Sequence, residues 1–180
     1  MKNRFLNLII NLREGGDEVL VITPDADPPA DFHGAAVMGV HGFPLPLYAS
    51  KTLRLSTGLS PFVWARLKEW KPDVIHCAVP GVMVFASILY SRLLDVPLVT
   101  SYHTHIPEYF KSYFMGWRGL EAPMWLLIRI WSRASNLMLV TSAAMQRELR
   151  DNRVSRADRE KNQAACWAPP THPRSRARPG

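Results

Sequence analysis

The sequence predicts an α/β fold built on a parallel sheet, and three observations predict it. Two apolar runs of strand length, Asp73–Val79 and Val96–Tyr102, flank a helical pattern from about Val82 to Leu94. A third such run, Asn136–Ser142, follows a helical pattern from about Pro123 to Arg133. Strands joined through a helix pair in parallel, and a parallel sheet needs helices on both faces. In open sheets of this kind the ligand crevice lies outside the carboxyl ends of the strands. Both central ends carry candidate chemistry: Ala78-Val79-Pro80-Gly81 after the first strand and Tyr102-His103-Thr104-His105 after the second.

The remaining elements follow in chain order. Phe5, Leu8, Ile9 and Leu12 recur at helical spacing, and Gly15-Gly16 stops that helix before the strand Val19–Thr23. This is the second half of a strand–helix–strand unit, so the first strand is expected to be missing from this sequence. Pro24 to Pro29 is a loop, and Val37–Val40 is a short strand. Phe43 to Tyr48 carries prolines at alternate positions and is a non-helical connection; a polyproline ligand is the lesser alternative. Ser60 caps a helix with Pro61 in its first position, ending at Trp70 before Lys71-Pro72. Ala143 to Arg150 begins a last helix, and apolar periodicity stops after Asn152. The expected organisation is a domain over residues 1–150 and a disordered, basic, Pro/Arg-rich tail over 151–180.

Composition narrows the class. At 180 residues, 47% hydrophobic and 21% charged, the chain can bury a core without staples. Cys77 sits in a strand pattern and Cys166 in the polar tail, so neither a disulfide framework nor a thiolate metal site is indicated. Nine of the 22 Lys and Arg lie between Arg147 and Gly180 against four acids there, so most of the +7 charge belongs to that segment. The body is close to neutral and offers no basic face for nucleic acid. Val74 to Ser91 is uncharged and long enough to cross a bilayer, but His76 and Pro80-Gly81 split it into a strand and a helix. The amino-terminal stretch is no secretory signal, because Asn7, Asn11 and Arg13 interrupt it.

Among the chemistry-bearing residues, His103 and His105 form the sharpest pair. In an extended chain they face the same way, and His76 on the neighbouring strand could join them as metal ligands. No carboxylate or thiol completes such a set, so no metal is assigned. A histidine contacting a polar substrate and a histidine packed for structure stay open as alternatives. Asp73 lies at the opposite edge of its strand, which argues against a paired-carboxylate glycosidase. There is no Walker motif, no G-x-G-x-x-G and no G-x-S-x-G. Trp117, Arg118, Trp125, Arg129, Trp131 and Arg133 form an aromatic and basic cluster that suits either a membrane interface or a core helix with solvated arginines.

Several stretches, taken in one order, carry a resemblance: Lys2-Asn-Arg-Phe5, Gly16-Asp-Glu-Val-Leu20, Asp31-Phe-His-Gly-Ala35, Pro72-Asp-Val-Ile-His76, Pro80-Gly-Val-Met-Val-Phe85, Val96-Pro-Leu-Val99, Ser101-Tyr-His-Thr-His105, Pro123-Met-Trp125 and Ser142-Ala-Ala144. From Met1 to about Leu149 the chain resembles the sulfoquinovosyltransferases of plants and algae, within glycosyltransferase family 4. The resemblance implies the N-terminal, acceptor-side half of a GT-B enzyme, a Rossmann-like parallel sheet. It implies a retaining transferase moving sulfoquinovose from UDP-sulfoquinovose to diacylglycerol in sulfolipid synthesis, at a chloroplast membrane, with no cofactor held by this chain.

By the same resemblance His103 is the catalytic histidine at the donor sugar. Gly81, Tyr102, Thr104 and His105 would line the crevice, and Lys2 and Arg4 the acceptor side. Trp117, Arg118, Trp125 and Arg129 become a peripheral membrane contact. The nucleotide-binding half and a transit peptide are not seen in the sequence, so this chain alone is expected to be inactive. Two alternatives remain: a family 4 transferase using UDP-glucose or GDP-mannose, and a truncated, non-catalytic product that binds lipid or a partner.

Overall fold

The computed structural model describes residues 2–25, 27–44, 54–79, 81–103 and 121–154. Residues 155–180 of the tail, Thr104, His105, Trp117 and Arg118 therefore lie outside the described residues, whereas residues 151–154 are described, Val154 as part of the main core.

Helix α1 (Lys2–Glu14) ends where the sequence predicts, and the hydrogen bonds show why. Gly16 adopts φ +84°, its N–H bonds Arg13 O at 3.1 Å, and Asp17 N–H bonds Leu12 O at 2.9 Å. This is the Schellman stop, with the left-handed residue supplied by glycine. Strand β1 (Leu20–Thr23) then pairs in parallel with β3 (Ala35–Gly39), placing Leu20 opposite Ala36 and Thr23 opposite Gly39. A two-residue strand that the sequence did not reveal, β2 (Asp31–Phe32), pairs antiparallel with β3. His33 and Gly34 between them both take positive φ, 53° and 80°, as the tight hairpin turn requires, and Asp31 Oδ1 accepts from Gly34 N–H at 3.1 Å.

The proline-rich stretch read as a connection contains a second short strand. Phe43–Pro44 (β4) pairs antiparallel with Arg54–Leu55 (β5), and the Arg54 guanidinium donates twice to Gly42 O. Helix α2 (Pro61–Trp70) follows the capping argument closely. Ser60 Oγ accepts from Phe62 N–H at 3.2 Å, Pro61 opens the helix, and Lys71 closes it at φ 51°.

The central unit is parallel. Strand β6 (Ile75–Val79), helix α3 (Met83–Leu94) and strand β7 (Leu98–Tyr102) are followed by α4 (Glu121–Ala134), β8 (Leu137–Val140) and α5 (Ala143–Asp151). The sheet order is β6-β7-β8, with Ala78 opposite Ser101 and Ser101 opposite Leu139. Asn136 prolongs the β7–β8 ladder. Its side-chain oxygen accepts from Leu98 N–H at 2.9 Å while its own N–H bonds Leu98 O at 2.8 Å. The uncharged stretch from Val74 is split between β6 and α3, and no described helix is long and apolar enough to cross a membrane.

Alternation along β7 separates the two faces. Leu98, Thr100 and Tyr102 are fully buried on the face that joins Cys77, Val79, Trp125, Ile128, Trp131, Met138 and Leu149 in the main core. A second cluster of Val63, Leu67, Ala86 and Tyr90 takes in Leu20 and Ile22 of β1, Met38 of β3 and Ile75 of β6. The sequence suggested one parallel sheet. The described strands instead form two three-stranded sheets and a two-stranded ribbon, because β1 pairs only with β3 and β6 only with β7. Helices α2 and α3 join the two larger sheets through side chains rather than backbone hydrogen bonds. The Tyr90 hydroxyl fastens this joint, accepting from Ser60 N–H and donating to Gly58 O, each at 3.1 Å.

Candidate functional site at the carboxyl ends of the parallel strands

His103 is held by the sheet itself. Its N–H bonds Val79 O at 3.2 Å, which carries the β6–β7 ladder one residue past the strand and fixes the backbone at the strand's carboxyl end. With Val99, Ser101 and His76 it belongs to the face opposite the main core. Phe5 of α1 approaches this face, its ring centroid 5.3 Å from that of His103 and 6.0 Å from that of His76. Beneath Phe5 the Ser101 hydroxyl, only 4% exposed, lies 2.9 Å from His103 Nε2 and 3.0 Å from His76 Nε2.

The rings are set up to stay neutral. Burial lowers the His103 pKa, and the positive charges of Arg4 and the chain's amino terminus add to that. Burial also lowers the His76 pKa, with His103 as a second cause, although much of the His76 residue is exposed and only its Nε2 end turns into the cluster. A neutral imidazole keeps one nitrogen as donor and one as acceptor. His103 Nδ1 is buried and finds no hydrogen-bond partner among the described residues, so it is the ring nitrogen left unsatisfied.

The other residues singled out by the sequence divide. Arg4 is exposed in the first turn of α1, and its charge reaches His103. Lys2 lies in the same helix. Gly81 follows β6 and opens toward α3, where an added Cβ would meet only Ala78 O at 3.5 Å. Its own chain therefore does not require glycine there. Tyr102 corrects the expectation that it lines the crevice: it is 0% exposed and part of the main core, because adjacent strand residues face opposite ways.

Trp125 corrects the membrane surface in the same manner. It is 8% exposed within the main core, and the half-buried Arg129 guanidinium donates to Asn152 O, tying α4 to the end of α5. The exposed apolar residues of these helices are instead Phe85, Leu89 and Leu93 on α3 and Leu126 and Ile130 on α4. The histidine metal set also changes meaning, since His76 and His103 share a serine hydroxyl. Among the described residues no group of three His, Cys, Asp or Glu could hold an ion.

An open cleft of about 380 Å³ lies past the carboxyl ends of β1 and β3, lined by Asp25, Pro28, Gly39, Val40, His41, Gly42 and Arg54. None of the residues proposed from the sequence lines it. The signal was present, since Asp25 and His41 each follow closely the end of a strand that the sequence had identified.

The sequence that forms this parallel sheet matches a known family. The family Glycosyltransferase Family 4 matches residues 1–160, and the chain belongs to it. The fold is that of the N-terminal half of a GT-B glycosyltransferase. Among curated proteins, the chain is 43% identical over 166 residues to a sulfoquinovosyl transferase, SQD2, of Arabidopsis thaliana. It is 33% identical over 161 residues to a GDP-mannose-dependent alpha-mannosyltransferase of Mycolicibacterium smegmatis. These alignments take in 92% and 87% of this chain, but only 31% and 42% of the two relatives. No solved structure matches.

Proposed function

We propose that the protein to which this chain corresponds transfers sulfoquinovose from UDP-sulfoquinovose to diacylglycerol, with retention at the anomeric carbon, and that this chain forms the acceptor-side wall of the cleft. The observation that carries the proposal is His103, fixed by Val79 O at the strand's carboxyl end with a buried, unpartnered Nδ1. It occurs in a chain more similar to a sulfoquinovosyl transferase than to the mannosyltransferases it also matches. The neutral ring contacts the donor sugar, where a hydrogen bond that tightens as charge develops lowers the barrier. Gly81, Thr104 and His105 are assigned to donor-sugar binding in this reading, and Lys2 and Arg4 to binding of the acceptor. The chain holds no cofactor for this step.

The acceptor is a membrane lipid, and the reaction takes place at a chloroplast membrane. The surface assigned to the bilayer is the exposed apolar row of Phe85, Leu89, Leu126 and Ile130, flanked by the exposed Arg92 and Arg133, which suit an anionic leaflet. The similarity to mannosyltransferases favours GDP-mannose as the donor of the runner-up reading.

The test is a chimera of the Arabidopsis thaliana relative in which the matched segment is replaced by residues 1–160 of this chain. Sulfolipid formed from UDP-sulfoquinovose and diacylglycerol vesicles is expected. Paired Leu126→Asp and Ile130→Asp changes should lower activity on vesicles far more than on detergent-dispersed lipid. A folded chimera that ignores diacylglycerol but glycosylates another acceptor would overturn the reading.

A further inference from the structure

The transfer reading uses one residue of the cluster beneath Phe5, yet the cluster has three polar members in a row. Ser101 Oγ stands between His76 Nε2 at 3.0 Å and His103 Nε2 at 2.9 Å. Sheet register sets this spacing. Ser101 lies opposite Ala78, two residues along from His76, and His103 lies two residues beyond Ser101 on the same face. A hydroxyl has one proton to give and lone pairs to receive. Between two neutral imidazoles it donates to one and accepts from the other, so the choice at one ring dictates the choice at the other.

Two observations select the direction. His103 Nδ1 is buried without a partner among the described residues, and an unmet buried acceptor is tolerated more readily than an unmet buried N–H. His76 is the more exposed ring, and water can accept from its remaining N–H.

We infer that Ser101 and His76 are positioning residues for His103: His103 Nε2–H donates to Ser101 Oγ, Ser101 donates to His76 Nε2, and His103 Nδ1 is thereby held as the unprotonated nitrogen of the ring. The inference rests on the proposed role of His103, but its content is a hydrogen-bond direction that can be read without turnover. Burial keeps both rings in the neutral form that the arrangement needs. The charged groups acting on them are Arg4 and the chain's amino terminus, with each ring facing the other.

The experiment is long-range proton–nitrogen NMR of the full chain labelled with ¹⁵N-histidine, at a pH where both rings are neutral. His103 should be dominated by the Nε2–H tautomer and His76 by the Nδ1–H tautomer. Ser101→Ala should turn both into mixtures, and Ser101→Thr, which keeps the hydroxyl, should restore them. Should Ser101→Ala fail to fold, His76→Phe serves instead: it preserves a ring against Phe5, removes the acceptor, and should convert His103 alone to a mixture. An Nδ1–H tautomer at His103, or tautomers indifferent to these changes in folded protein, would overturn the inference. Expected tautomers alongside full turnover of a His103→Ala chimera would instead remove the catalytic reading and leave the hydrogen-bond chain standing.

Discussion

At the scale of single residues, the histidine pair makes stability depend on pH in a defined direction. Both rings have folded-state pKa values below the ordinary value of about 6.5. Above that value neither state is charged and the pair imposes no penalty. As pH falls below it, the unfolded chain takes up protons that the folded chain refuses, so stability drops until the folded rings also protonate. Replacing both His76 and His103 by Gln should flatten the fall in unfolding midpoint between about pH 6.5 and 5 relative to the parent chain. An identical fall in both proteins would show that the rings are not held neutral. The sequence made His103 legible because a polar residue ends an apolar strand. It made Ser101 harder to see, since a serine within a strand pattern signals nothing alone. Its importance follows from sharing a face with His103, and the same alternation removes Tyr102 from the site.

At the scale of elements, boundaries were legible wherever chain chemistry punctuates them. Gly15-Gly16 and Ser60-Pro61 each mark a helix end by a mechanism that the hydrogen bonds display, whereas Ser142, read as the end of a strand, is the cap of α5 and accepts from Met145 N–H. The elements missed are two residues long. The β2–β3 hairpin turns on His33-Gly34 rather than on Asn-Gly or Asp-Gly, and β4 contains a proline, so neither periodicity nor propensity could announce them. Trp125 and Arg129 illustrate a second limit. Composition shows that a helix has aromatic and basic residues, but only packing shows which side carries them. The caps make opposite predictions. At Gly16, with φ +84° and open space around a would-be Cβ, alanine should cost about 1 kcal/mol through backbone conformation alone. At Lys71, with φ 51° and an exposed side chain, glycine should raise stability by up to about 1 kcal/mol. Two shifts of the same sign in denaturant unfolding would refute the cap assignments.

At the scale of the whole molecule, a small parallel sheet is covered on one face by α4 and α5, while on the other Phe5 of α1 closes over a histidine–serine–histidine row. An open cleft lies beside Asp25, His41 and Arg54, at the strand ends of the neighbouring sheet. The chain covers about a third of the length of the sulfoquinovosyl transferase it resembles. The most direct measurement is turnover of the chimera with the Arabidopsis thaliana relative when His103 is changed to Ala. The account predicts a fall of roughly 100-fold with an unchanged melting temperature, as expected for losing one hydrogen bond that acts in the transition state. Turnover within about twofold of the parent chimera, well short of the loss such a bond carries, would contradict it.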